Sequence, residues 1–213
     1  MILKRAATLI GLLFLTGCAA GTGAVIYKVF GPTAIEPKFD VGDQPTLVLV
    51  ENYQNPAASE IEADRIARNV SDTLKEKGGK TIVEQDKLAS LRDTKGKEFR
   101  NLTIPAVGKA LSATYVIYVN INESDLTADS TQNTVHGKAA GRVRVVSTET
   151  GETLWPRDSV EGYEVTTTMS DTQLQEGTSI GSLRSQMLNN ISTTIAHLFY
   201  KWKPESEAEG DAG

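Results

Sequence analysis

The sequence predicts a mixed α/β fold: one mixed parallel and antiparallel sheet with helices packed on it, in the order β-α-β-α-β-β-β-α. Three observations predict it. Short β-branched runs bounded by turn residues alternate with helical stripes through the first half of the domain. A stretch of two-residue alternation, TVHGKAAGRVRVV at 134–146, follows them. A long stripe of apolar residues spaced three and four apart comes last.

TLVLVE at 46–51 is an apolar β-branched run, as expected of a buried strand, and Asn52, Asn55 and Pro56 end it. Ser59-x-x-Glu62 has the spacing of a capping box, so a helix is expected from there. Ala63, Ala67, Val70 and Leu74 form its apolar stripe, and Gly78-Gly79 supplies the stop. KTIVEQ reads as a second strand. A helix between two strands suggests a parallel βαβ unit. DKLASL at 86–91 reads as a short helical turn and RDTKGKEFRN as a polar loop.

A short helix is expected after Thr103, with Ile104, Val107 and Leu111 on one face; Pro105 is tolerated in a first turn. ATYVIYVNI at 113–121 is the strongest strand signal, and ESDLTADSTQNT reads as a polar turn region. In the alternating stretch Val135, Gly137, Ala139, Gly141, Val143 and Val145 point one way. His136, Lys138, Arg142 and Arg144 point the other, which describes a half-buried antiparallel strand. STETGET turns the chain, and LWPRDSVEGYEVTT returns as its partner, broken at Pro156. Ile180, Leu183, Met187, Ile191, Ile195, Leu198 and Trp202 then define one long amphipathic helix.

These elements place a mixed α/β domain at 45–203. Residues 18–44 contain Gly, Pro and Thr, and Pro32, Pro37 and Pro45 forbid a long helix, so an extended tether is expected. Residues 204–213 are acidic and lack large apolar side chains, the composition of a solvated tail.

The N-terminus carries a different signal. Lys4 and Arg5 precede an uncharged, mostly apolar stretch from Ala6 to Thr16, and small residues follow. The segment resembles a bacterial lipoprotein signal peptide at 1–17, with Leu15, Thr16, Gly17 and Cys18 as its lipobox. That resemblance implies cleavage before Cys18 and lipid on its sulfur and new amino group. Two or three acyl chains anchor stably where one does not, at about 0.8 kcal/mol per buried CH₂. Ala19 stands where Asp would imply inner-membrane retention, so the resemblance favours the outer membrane, with the domain facing the periplasm. Two other readings compete. Cys18 is a buried thiol in one. In the other, Ala6–Tyr27, which carries no charge, is a membrane span of the necessary ~20 residues. The weakly apolar, glycine-containing AAGTGAVIY counts against that span.

The domain also carries a resemblance. The helix stop at Gly78-Gly79, the strand Thr81-Ile82-Val83, the run VGKALSATYVIYVNI and the hairpin VRVVSTETGETLW are similar to an envelope α/β domain. That domain is shared by the N-terminal part of TolB, the curli-secretion lipoprotein CsgG and the penicillin-binding-protein activator LpoB. Ser112-Ala113-Thr114 stands where the group has a Gly-Ala-Asp-like corner. The resemblance implies binding and assembly rather than chemistry, through an envelope protein partner or self-association.

Composition and motifs agree with that direction. The net charge is -5 and there is no dense basic run, so nucleic acid is not an expected partner. With one Cys there is no internal disulfide, and the two His lie too far apart for zinc spacing, so no metal and no cofactor are expected. G-x-S-x-G is absent, and GTGAVIYKVFG lacks the Gly-Lys-Ser/Thr ending of a phosphate loop. No catalytic set is assigned. The candidate partner contacts are Lys138, Arg142 and Arg144, a basic strip on one strand face, and Trp155 beside a broken strand. The reading is a lipid-anchored, non-catalytic envelope protein that binds a partner or builds an assembly. The alternative is an envelope small-molecule or glycan binding module, with an enzyme third.

Overall fold

The computed structural model describes residues 33–52, 56–129, 134–173 and 179–204. Cys18 and the rest of the lipobox lie outside them. Glu36–Trp202 forms one compact unit. Met1–Ile35 with Lys203–Gly213 is assigned to a second, of which 33–35 and 203–204 are described.

Strand β1 (Thr46–Asn52) carries five consecutive buried residues, Thr46 to Val50, as its unbroken apolar run requires. It pairs in parallel with β2 (Tyr115–Asp129), starting at Thr46 opposite Tyr115. The expected second strand at 80–85 is reduced to one parallel bridge, Thr46 to Ile82. Ile82 and Val83 are buried there, but Gln85 already starts a helix. The βαβ unit therefore closes on β2, and its crossover holds three helices instead of one.

Helix α1 (Pro56–Glu76) starts ahead of the expected capping box. Ser59 lies inside it, and the Glu62 carboxylate receives Arg184 and Ser124 instead of capping the helix. Its stripe Ala63, Ile66, Ala67, Val70 and Leu74 is buried. Gly79, at φ +61°, turns the chain beyond its end. Helix α2 (Gln85–Lys95) and a 3-10 turn at 96–101 replace the expected short turn and loop. Gln85 pins the start of α2: its buried Nε2 donates to Val48 O and Ser71 Oγ at 3.0 and 2.9 Å. Helix α3 (Ile104–Ala110) is capped by Thr103, with Pro105 in its first turn.

The corner after α3 sets Ser112 at φ 57°, the one positive-φ residue other than glycine among the described residues. The left-handed region costs an L-residue about 1–2 kcal/mol relative to glycine, which is why this corner suits glycine. Ala113 N–H bonds to Gly108 O, Thr114 N–H bonds to Pro45 O, and β2 begins.

β2 continues in pairing to Asp129, past the expected turn at Glu123, and its antiparallel partner is β3 (Thr134–Ser147). Backbone pairing with β3, a Ser124–Glu62 hydrogen bond and the packing of Leu126 on the core hold this largely polar extension, with a bulge between Ile121 and Glu123. β4 (Thr153–Trp155) and β5 (Tyr163–Gln173) both lie against β3, separated by the break at Pro156. Among the described residues the sheet has five strands.

Helix α4 (Ile180–Ala196) opens with a capping box between Ser179 and Ser182. It ends six residues short of the expected Trp202. Leu198 and Phe199 keep the helical spacing but sit in a tight turn, their N–H groups donating to Ile195 O and Ala196 O. α1 and α4 run parallel, joined in order by Glu62–Arg184, Arg65–Ser185 and Asn69–Asn189. Both cover one face of the sheet over a core that includes Val48, Ile117, Val143, Met187, Ile191 and Phe199. A second core lies on the opposite face under α2 and α3, around Leu47, Leu49, Leu88, Val107 and Val116.

The compact unit starts before residue 45. Lys38 and Phe39 donate backbone N–H bonds to Leu198 O, Asp40 pairs with Lys80, and Val41 is buried in the core. His197 stacks on the Trp202 ring, with centroids 3.7 Å apart. Its burial, with Lys77 nearby, holds the imidazole pKa below its ordinary value.

Candidate partner-binding surface

α2 and α3 cover only the β1 side of their sheet face. The other side, built from β2, β3 and β5, is open: Asp125, Thr127, Lys138, Glu164, Thr166 and Thr168 are exposed. Strand alternation puts Lys138, Arg142 and Arg144 in line along it, since Ala139, Val143 and Val145 between them are buried on the helix-covered face.

The three basic residues are all engaged. Lys138 Nζ lies 2.6 Å from Glu123 Oε2, and that carboxylate raises the lysine pKa above its ordinary value. Arg142 reaches Glu161 at 3.0 Å and Glu164 at 3.8 Å. The Arg144 guanidinium sits 5.1 Å from the Tyr118 ring centroid, and Tyr118 Oη donates to Glu51 at 2.8 Å. Register aligns Glu51, Asn120, Arg142 and Glu164 in one row across four strands. Exposed pairs of this kind contribute little to stability, so they pattern the surface more than they stabilise the fold. The strip therefore carries both signs of charge rather than a bare positive stripe.

One polar atom in the row is unsatisfied. Asn120 Oδ1 is buried and accepts no hydrogen bond among the described residues; Asn122 Oδ1, at the bulge, is in the same state. Sequence reasoning missed the acidic half of this surface and Tyr118. Its signal was the alternation of the returning strand, which sets Glu164, Thr166 and Thr168 on one side.

Trp155 does not join the strip. It is half-buried against the core on the helix-covered side, 5.0 Å from the Tyr163 ring and edge-on to Phe199 at 6.0 Å. His136 is exposed on the open face near the hairpin end. Among the described residues no three His, Cys, Asp or Glu side chains converge as a metal site requires, and no helix is long and apolar enough to cross a membrane. The cleft lined by Asp64, Arg68, Gln85 and Ala89 has room for about one water.

Comparison with protein families decides the membership. The family model described as peptidoglycan-synthase activator LpoB matches residues 34–159, more than half of the chain. The chain belongs to the LpoB family. The matched span of this LpoB-family chain includes Lys138, Arg142, Arg144 and Trp155, and ends before β5 and α4. No curated protein matches it in sequence. Among solved structures it is similar to lipoprotein GNA1162 from Neisseria meningitidis, at 12% identity and TM-score 0.47, over 72% of this chain and 98% of that one. It is also similar to the PelC dodecamer from Paraburkholderia phytofirmans, at 14% identity and TM-score 0.40, over 80% and 99% of the two chains.

Proposed function

We propose that this LpoB-family chain is a lipid-anchored, non-catalytic envelope protein that binds and activates a peptidoglycan synthase. The family match carries the reading. In it, residues 1–17 are removed as a signal peptide, lipid on Cys18 holds the chain to the outer membrane, and the domain faces the periplasm.

The open, charged sheet face supports a partner-binding role. The chain arriving from the anchor joins the domain where Asp40 meets Lys80 and where Lys38 and Phe39 bond to Leu198. The β2–β3 hairpin starts beside that point, at Tyr115 and Ser147, and runs away from it. At about 3.3 Å per residue its far end lies about 45 Å distant. Arg144, Arg142 and Lys138 lie along this hairpin, three, five and nine residues from Ser147. The contact assigned to the synthase is the open face with Lys138, Arg142 and Arg144. A complementary partner brings charges of both signs and a donor for Asn120 Oδ1.

Two measurements test the reading. Purified full-length chain added to the synthase should raise the rate of glycan polymerisation; an unchanged rate at saturating chain rejects activation. Cys18→Ser should move the chain from membranes to the soluble periplasmic fraction and leave stimulation in solution intact. Retention on membranes would instead favour a span over Ala6–Tyr27.

A further inference from the structure

The outward side of α4 is unusual for a helix on a charged protein. Gly181, Ser182, Gln186, Asn189, Asn190 and Thr193 are exposed, and none carries charge. Arg184 is the one charged residue of α4, and Glu62 neutralises it. Composition does not explain this, because 23% of the chain is charged. Charge depletion is the compositional mark of the centre of a protein interface.

The flanking stripe of α1 adds direction. Arg65, Asn69, Asp72 and Glu76 recur at helical spacing along the edge that meets α4 through Arg65–Ser185 and Asn69–Asn189. Arg65, Asp72 and Glu76 form no ion pair among the described residues. The positive charge sits towards the N-terminal half and the two negative charges towards the C-terminal half. At the N-terminal ends of the two helices, Ile61 and Ile180 are 78% and 45% exposed.

We infer that this face pairs with a second copy of the same chain about a two-fold axis near Asn69 and Asn189. The axis lays α4 antiparallel on the second copy's α4. Arg65 then faces Asp72 and Glu76 of the second copy, and the same contact forms twice. A parallel two-fold pairing of α4 on α4 carries the two α1 helices to opposite sides and loses this contact. Ser, Thr, Asn and Gln side chains each donate and accept, so a face made of them is complementary to itself. Seventeen residues of α4 span about 25 Å at ~1.5 Å rise, and neighbouring helices lie ~8–10 Å apart. The footprint is then on the order of 500 Å² per copy, below the ~800 Å² of a standard interface, which describes a weak, reversible dimer. α1 and α4 lie across the sheet from Lys138, Arg142 and Arg144, so the pairing leaves the proposed synthase contact open.

A charge swap at the axis tests it. Two differently tagged full-length chains are co-expressed and purified through one tag in mild detergent. Wild-type copies should co-purify. Asn189→Asp with itself and Asn189→Lys with itself should each fall at least tenfold, because like charges meet at the axis. The mixed Asp and Lys pair should return to the wild-type level, which also shows that both variants are folded. The pairing is overturned if wild-type copies do not co-purify, if the like-charged pairs co-purify as wild type does, or if the mixed pair fails to recover. Accidental sharing of detergent micelles gives the second of these results.

Discussion

Phe199→Ala should destabilise the domain by about 3–5 kcal/mol, the range for removing a fully buried phenylalanine ring. Phe199 is 0% exposed and sits in the turn after α4. Its ring packs edge-to-face with Trp155 of β4, which in turn lies against Tyr163 of β5. Leu198, one residue earlier, accepts the two N–H bonds that fix the start of the compact unit. The cavity therefore opens where the two ends of the unit meet. Against a typical total of about 5–15 kcal/mol, the loss takes much of the margin. Urea unfolding should show a lower midpoint with an unchanged slope. Val160→Ala, at a side chain 91% exposed, should stay within about 0.5 kcal/mol. A Phe199→Ala loss under about 1 kcal/mol would mean that the turn is not part of the cooperative core.

Gly108→Ala should destabilise by about 1–3 kcal/mol, although alanine is the better helix former by about 1 kcal/mol. The reason is local. A Cβ at 108 overlaps Thr148 Cγ2 and comes within 2.7 Å of Val116 Cγ2. Thr148 has little room to retreat, because its hydroxyl donates to Ala113 O at 2.7 Å, at the corner before β2. Thr148→Ser keeps that hydroxyl and removes the offending methyl. The double substitution should therefore recover part of the loss, and thermal unfolding of the four proteins reads the coupling directly. Equal losses with and without Thr148→Ser would assign the cost to Val116 instead.

Elements whose burial matches their local pattern were legible. β1 is apolar from Leu47 to Val50 and buried from Thr46 to Val50. The alternation at 134–146 matches the burial of β3 residue for residue from Val135 to Lys138. The break between β4 and β5 was readable from Pro156, which has no N–H for a ladder. The failures have different causes. α2 has few apolar residues to mark a stripe, and its position depends on buried Gln85, which polarity alone assigns to a loop. The outer part of β2 is polar because its face is open, so nothing in its composition separates it from a turn. Past Ala196 the apolar spacing continues while the backbone does not, because a turn buries Leu198 and Phe199 equally well. The basic strip was visible, but its acidic partners were not. Glu51, Glu123, Glu161 and Glu164 reach it only through pairing register and the loop after β4.

The parallel pairing of β1 with β2 has a consequence for how the chain is made. β2 and β3 are neighbours in sequence, and hairpins close in about 1–10 μs. β1 has one nearby bridge, Thr46 to Ile82, and its ladder waits for everything between Asn52 and Tyr115 to be present. A ribosome or a translocation channel delivers this chain from its N-terminus, so Leu47-Val48-Leu49-Val50 emerges early and stays unpaired while three helices follow it. Such an apolar, uncharged stretch is the kind that seeds strand-to-strand aggregation. The vulnerable moment in the life of this protein is therefore its delivery, and yield should depend on chaperone supply more steeply than the stability of the finished domain suggests.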